Sequence, residues 1–466
     1  MGASDKPDAA VDARAYWLLV LMGAGLLTPW NVMLNSLPFF ATLYDKATFS
    51  TFPFYVSAVY GWPGIPVLFA MVFYGDRLPL ALRICGTFLA QAAIMALMPA
   101  LAPLSYLLPL ALMFVNGVCT GLLQSSLFGL TAAFPPAYSQ GALLGQGLAG
   151  ALSSFAQLVV MGAAAAEPGR DNSAPAAYGY FACAALVMAA CAAAYLALVR
   201  LPVARAYMLA AAEHRGEAAP GAAAAAAAAD KGEAALAGGI EFVQAAGSGE
   251  DGGDDDTAVR AALLDGSGGG GSSSGSSGGG GGGGSSALGV FLRIWPQALA
   301  LFLVFLMTFL PFPGVMNQIA FKGGLGASAE AAFGGGGKDG VGAGRWSVVL
   351  LAVFNVFDTV GRFLPGRCVC LRAGTLLPAA LARFALLPLF LACARGWQPA
   401  ALFGDAFALA LVAGFALTNG YVASCVFMLT PARVGRADQE RAGFLLSLLL
   451  NLGITSGAQF ALLFAT

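Results

Sequence analysis

Eleven separate stretches of this chain stay apolar for about 20 residues, the length a helix needs to cross the hydrocarbon core of a bilayer. They lie near 15–37, 52–74, 80–102, 105–130, 141–165 and 177–200, and then 293–320, 346–365, 375–394, 401–429 and 442–465. Inside lipid every backbone donor and acceptor must be satisfied within the protein, so such segments fold as helices. Charge agrees: 10% of residues are Asp, Glu, Lys or Arg, against roughly 25% in a soluble domain, and the mean hydropathy is +0.77. The expected fold is an all-α membrane bundle. The first run begins near Ala15 without a small-residue cleavage site, so it is expected to remain as a span.

The remaining composition excludes more than it proposes. The net charge of −1 and the dispersed basic residues give no sign of nucleic-acid binding. The one histidine, His214, lies in a low-complexity stretch, which rules out histidine proton relays and His-rich metal sites. Most cysteines sit within apolar runs and read as small buried hydrophobes. No cofactor is implied, and enzyme chemistry is not expected without histidine or a pair of intramembrane carboxylates.

The chain divides as a tail (1–14), six spans (15–200), a linker (201–291) and five spans (292–466). The linker holds a poly-Ala run at 222–229, an acidic triplet at 254–256 and a Gly/Ser run at 266–286. It is expected to be disordered, because it has too little apolar surface to bury. Lys and Arg decide orientation. With the N-terminus inside, fifteen fall on the cytoplasmic side and six opposite. The linker is then cytoplasmic and the C-terminus extracytoplasmic.

Ionisable groups within spans are the sharpest chemical signal, since each costs a few kcal/mol there and is kept where it pairs or lines a cavity. At about 100° per residue, Leu351, Asn355, Asp358 and Arg362 share one face of span eight. Asp358 and Arg362, four apart, can pair along the helix. The bland reading is a structural ion pair; the functional one is a polar ladder facing a polar solute. In span one, Pro29, Trp30 and Asn31 put a kink, an aromatic wall and an amide together, with Leu34 on the Trp30 face. Span four carries Thr120 and Gln124 on one face, and an amide both donates and accepts. Gln146 and the glycines around it read as helix packing. Ser447, Asn451 and Thr455 form a polar stripe on span eleven that suits either a cavity or interhelical contacts.

Taken in order, Leu27-Thr-Pro-Trp-Asn31, Leu123-Gln-Ser-Ser-Leu-Phe-Gly129, Gly145-Gln-Gly-Leu-Ala-Gly150, Phe354-Asn-Val-Phe-Asp-Thr-Val-Gly-Arg362 and Thr418-Asn-Gly-Tyr-Val-Ala-Ser424 resemble the equilibrative nucleoside transporter family. Ala442-Gly443 at the start of span eleven fits too. The resemblance covers nearly the whole chain outside the linker. It implies a major-facilitator-like 6+5 bundle that carries nucleosides, and by extension nucleobases, down their gradient by alternating access. It implies that Trp30 contacts the nucleoside, Gln124 hydrogen-bonds the base, and Asp358 with Arg362 holds the ribose hydroxyls. Asn31 and Asn355 would tie spans one and eight, and Leu34, Pro313 and Leu351 would form a thin outer gate. Thr120 stands where some members have Gly, which narrows the pocket beside Gln124. Leu34 and Leu351 replace longer or aromatic gate residues. The competing functional readings are a sugar or organic-anion carrier of the same fold, a proton-coupled nucleoside carrier, and a receptor or scaffold working through its linker. Substrate and bilayer are the expected partners, with no obligate protein partner evident. The plasma membrane ranks ahead of organelle membranes.

Overall fold

Several helices begin where the sequence supplies a cap or a proline. The computed structural model describes residues 11–166, 173–216, 285–312, 314–323, 325–326, 341–396 and 404–461. Asp12 caps α1 (Ala13–Asn35) by accepting from the amides of Arg14 and Ala15 at 2.7 and 3.1 Å. The short α2 (Leu37–Leu43) leads to α3 (Lys46–Tyr74), which Asp45 caps in the same way. A π-helical turn, Leu82–Gly86, opens α4 (Thr87–Leu101). Then come α5 (Leu107–Ala132), α6 (Pro136–Ala166), α7 (Ser173–Leu198) and α8 (Pro202–Arg215). The second half holds α9 (Ala287–Phe309), capped by Ser286, the single turn α10 (Gly314–Asn317) and α11 (Val341–Phe363). It continues with α12 (Leu376–Ala382), α13 (Leu387–Ala394), α14 (Asp405–Leu429) and α15 (Gln439–Ala461). Among the described residues, eleven helical segments are long and apolar enough to cross a membrane, and there is no strand.

Their outward faces carry Phe69, Leu152, Phe155, Leu186 and Leu292, each more than half exposed. So much large apolar surface is stable only against lipid. This is an integral, multi-pass membrane protein.

Three expectations need correcting. Span seven ends at Phe309 instead of near 320, because Pro311 cannot continue the helical hydrogen bonding. Span nine keeps its expected bounds but is not uniformly α-helical: Arg383–Leu386 winds as a 3-10 turn between α12 and α13, and Pro388 opens the second segment. The segment taken as disordered linker from 201 begins with α8. Pro202 sits in its first turn and Gly216 closes it in the left-handed region at φ 77°. Alanine-rich sequence that reads as low complexity is also the best helix former. Positions 217–284, including the poly-Ala, acidic and Gly/Ser runs, lie outside the described residues.

The core is continuous at one end of the bundle and divided at the other. At the end where α7 finishes and α9 begins (the linker end), one apolar cluster joins both halves through Leu127, Phe128, Phe427 and Phe444. Phe128 stacks against Phe427 with centroids 4.3 Å apart. At the far end the buried apolar residues separate into two clusters. Phe40, Phe52 and Phe181 belong to the first half, and Trp346, Phe390 and Phe415 to the second. The halves therefore make a V, closed at the linker end.

Candidate functional site

The closed end of the V is fastened by backbone approaches that only glycine allows. A Cβ on Gly443 of α15 would strike the carbonyl of Phe128 on α5 across the two halves; within the first half, one on Gly145 of α6 would strike the carbonyl of Val20 on α1. Gly147 lies against Thr359 and the Arg362 side chain, and Gly150 against Asn355. The Gly-rich stretch of span five is thus packing, as the sequence reading held. Gln146, read as packing too, does something else.

Gln146 accepts a hydrogen bond from Arg362 Nη1 at 3.0 Å, across the two halves. Arg362 Nε donates to Asp358 Oδ2 at 2.7 Å, and both residues are about 5–6% exposed. The other carboxylate oxygen of Asp358 accepts from Asn419 Nδ2, also at 2.7 Å. Asn419 in turn accepts from Thr308 Oγ1 at 2.7 Å, and Thr308 accepts from Arg383 Nη2 at 2.9 Å. Arg383 also donates to the carbonyl of Val304 and lies over the Phe415 ring, 4.7 Å from its centroid. Four helices and the span-nine break contribute to this chain: Asp358 and Arg362 from α11, Asn419 from α14, Thr308 from α9, Gln146 from α6. The close crossing of α11 and α14 makes it possible, since a Cβ on Gly420 would collide with the Asp358 carbonyl.

The other half presents a second polar wall. Trp30 is half-buried and stacks on Tyr60, centroids 4.8 Å apart and planes 15° from parallel. Tyr60 donates to Thr120 Oγ1 at 3.3 Å, and Gln91 Nε2 donates to the same oxygen at 2.9 Å. Gln124 follows Thr120 by one turn and is 6% exposed. Its Nε2 is buried with no hydrogen-bond partner, and so are Gln91 Oε1, Asn116 Oδ1 and Asn31 Nδ2. A buried polar atom left unpaired costs about 1–3 kcal/mol. All four lie in the first half of the chain.

The sequence-derived site is in part brought together. Asp358 and Arg362 pair as expected. Asn355 does not tie span eight to span one: its Nδ2 donates to Ser154 Oγ of α6 at 2.7 Å, while Asn31 has no such bond. The reason is the α6–α11 crossing, where Gly147 and Gly150 bring α11 against span five. Leu34 and Leu351 are half-buried on α1 and α11, and Pro313 lies outside the described residues. Tyr60, Gln91, Ser154, Thr308 and Asn419 were missed as partners. Gln91 had a signal, being a lone amide inside an apolar run, and Asn419 lay within a quoted motif. Arg383 carries a signal of its own in the sequence, as a charge inside span nine. Ser447 Oγ, on the stripe of span eleven, is buried without a partner, and Asn451 bonds back to the Ser447 carbonyl.

The sequence matches the nucleoside transporter family over residues 110–235 and 289–466. This chain belongs to the equilibrative nucleoside transporter family. It is 26% identical to equilibrative nucleoside transporter 2 of Homo sapiens, with 95% of each protein aligned. It is also 26% identical to equilibrative nucleoside transporter 1 of Homo sapiens over 97% of each. Equilibrative nucleotide transporter 1 of Arabidopsis thaliana is 22% identical, over 99% of this chain and 88% of that protein. Among solved structures, the proton:xylose symporter XylE bound to 6-bromo-6-deoxy-D-glucose superposes with a TM-score of 0.55 at 12% identity, covering 96% of this chain and 88% of that one. That likeness shows the fold, and the fold is that of the major facilitator superfamily.

Proposed function

We propose that this member of the nucleoside transporter family carries nucleosides, and by the same chemistry nucleobases, down their gradient by alternating access. The observation that carries the reading is the pair of buried polar walls, one in each half, with opposite equipment. The Asp358–Arg362 wall offers charged acceptors and donors. Each Asp358 oxygen keeps a further lone pair, and Arg362 Nη2 has no hydrogen bond among the described residues. A vicinal diol needs such a paired set. The opposite wall offers the Trp30 ring and the free Gln124 amide, which suit a planar base. Leu34, Leu351 and Pro313 would close over the open mouth as the outer gate.

Gln124→Ala is expected to change the ratio of uridine to adenosine uptake more than it lowers uptake of both. A lost pocket hydrogen bond is worth about 0.5–1.5 kcal/mol. Equal loss for all substrates, measured as kcat/KM in a transport-null cell, would count against base reading.

The V closed at the linker end supports a carrier caught with its site accessible from the far side. Lys and Arg placement makes the linker end cytoplasmic, so this is the outward-facing state; the plasma membrane is the membrane we assign. Glu440 of α15 accepts from Arg83 Nη2 at 3.1 Å and from Arg215 Nη1 of α8 at 2.9 Å, fastening both halves and the start of the linker. These pairs are partly buried, so removing the Glu440 charge leaves Arg83 and Arg215 less well compensated. Glu440→Gln is therefore expected to shift the resting population inward and weaken apparent affinity for external substrate by about tenfold. Unchanged affinity from both sides would remove the clasp from the cycle.

The reading as a whole is tested in proteoliposomes supplied from outside with uridine, adenosine, adenine and, as the sugar control, glucose. Uptake of the nucleosides that stops at equilibrium, with or without an imposed proton gradient, is the expected result. Accumulation above equilibrium that collapses with a protonophore would overturn the facilitated mechanism, and glucose uptake alone would overturn the substrate class.

A further inference from the structure

The loop between α11 and α12 reads Arg367-Cys-Val-Cys-Leu-Arg372 and has no part in the site described so far. Cys368 and Cys370 are both exposed, and their sulfurs lie 3.1 Å apart, within hydrogen-bonding distance. The loop is held from below. Tyr421 of α14 accepts from the Cys370 amide at 2.7 Å and donates to the Cys368 carbonyl at 3.0 Å. Tyr421 directly follows Gly420, the residue packed on the Asp358 carbonyl. On its other side the loop meets α6 of the first half. Gly366 sits against the Gln140 amide, which donates to the carbonyl of Arg362 at 2.8 Å.

We propose that Cys368 and Cys370 are a reversible dithiol–disulfide modification site, and that its oxidation state sets the transport rate. The hydrogen bond from Cys368 lowers the Cys370 thiol below its ordinary value. Cys370 is thus the sulfur that ionises first and attacks. With hydrogen peroxide as oxidant, the Cys370 thiolate breaks the O–O bond, becoming a sulfenic acid and releasing hydroxide. The Cys368 sulfur then displaces that oxygen, forming the S–S bond. Its proton leaves with the displaced hydroxyl as water, and two electrons have passed from the sulfurs to the peroxide. A small-molecule disulfide does the same by exchange, leaving as two thiols.

Bonding draws the sulfurs from 3.1 Å to about 2.05 Å. It closes a small ring around Val369 and re-spaces the two backbone groups that Tyr421 grips. Since Tyr421 and Gly366 lie on either side of elements that must part and re-form during each cycle, the closed ring slows the cycle. In the orientation proposed above the loop faces the cytoplasm, where the resting form is the dithiol.

The test uses the full chain in liposomes, treated with hydrogen peroxide or oxidised glutathione, alkylated and digested with trypsin. The expected peptide, Cys368 to Arg372, is lighter by two hydrogens and takes up no alkylating agent. Nucleoside uptake falls several-fold and returns with dithiothreitol. The Cys368→Ser and Cys370→Ser variants transport normally and ignore the oxidant. Full alkylation of both sulfurs after oxidation, a fatty acyl chain on either, or oxidant sensitivity that persists in the double variant would overturn the proposal. The peptide mass is read without reference to substrate, so it stands apart from the nucleoside reading.

Discussion

Asp358→Ala is expected to abolish nucleoside uptake and to lower the melting temperature of the purified protein. Asp358 is the acceptor for both Arg362 and Asn419. Its removal leaves the Arg362 guanidinium, 5% exposed, with only Gln146 and a backbone carbonyl of Leu143. Removing one member of a buried pair costs about 3–5 kcal/mol, because the survivor is an uncompensated buried charge. The loss of activity should exceed what instability explains. To separate the two, the double variant Asp358→Asn/Arg362→Gln removes both charges and should recover most of the melting temperature. It should not recover transport, since a diol would lose its charged partners. Recovery of transport in the double variant would make the pair a structural lock between helices, the bland reading of the same residues. Arg362→Lys is expected to behave like a loss, because an ammonium cannot reproduce the planar fork that reaches Asp358 and Gln146 together.

Gly420→Val should be nearly as damaging, although the position touches no solute in this reading. The Cα of Gly420 faces the carbonyl of Asp358 and the amide of Arg362, and any Cβ there meets backbone that cannot give way. Gly361 on the partner helix faces the Leu417 carbonyl in the same manner. Separating α11 from α14 would pull Asn419 off Asp358 and break the path to Arg383. Overpacking costs typically about 1–3 kcal/mol and sometimes more. A loss of surface expression together with near-complete loss of uptake is expected. Gly414, on the same helix, has nothing within 4 Å of a Cβ, and Gly414→Ala should be silent in both measurements. Equal effects of the two substitutions would show that helix propensity, not the crossing, decides the outcome.

The sequence alone was enough for the eleven membrane spans and the rough bounds of most of them, because lipid permits a spanning segment one backbone solution and about 20 apolar residues to make it. It was also enough to single out Asp358 and Arg362, whose spacing of four places them on one face whatever surrounds the helix. It could not say what faces that helix. Helices in a membrane are all apolar outside, so hydropathy does not tell the face packed on a neighbour from the face turned to lipid. That is why Gln146 passed for packing when it grips Arg362; the tie of Asn355 to span one came from the family resemblance, and Asn355 bonds Ser154 instead. Arg383 reaches the site through Thr308 and Asn419, residues 75 and 36 positions away along the chain, and no local pattern records such a route. The broken ninth span and the helix α8 depend on short-range chemistry that hydropathy averages away. The closure of the V at one end was decided in the tertiary structure alone, by glycines whose missing side chains let two halves meet.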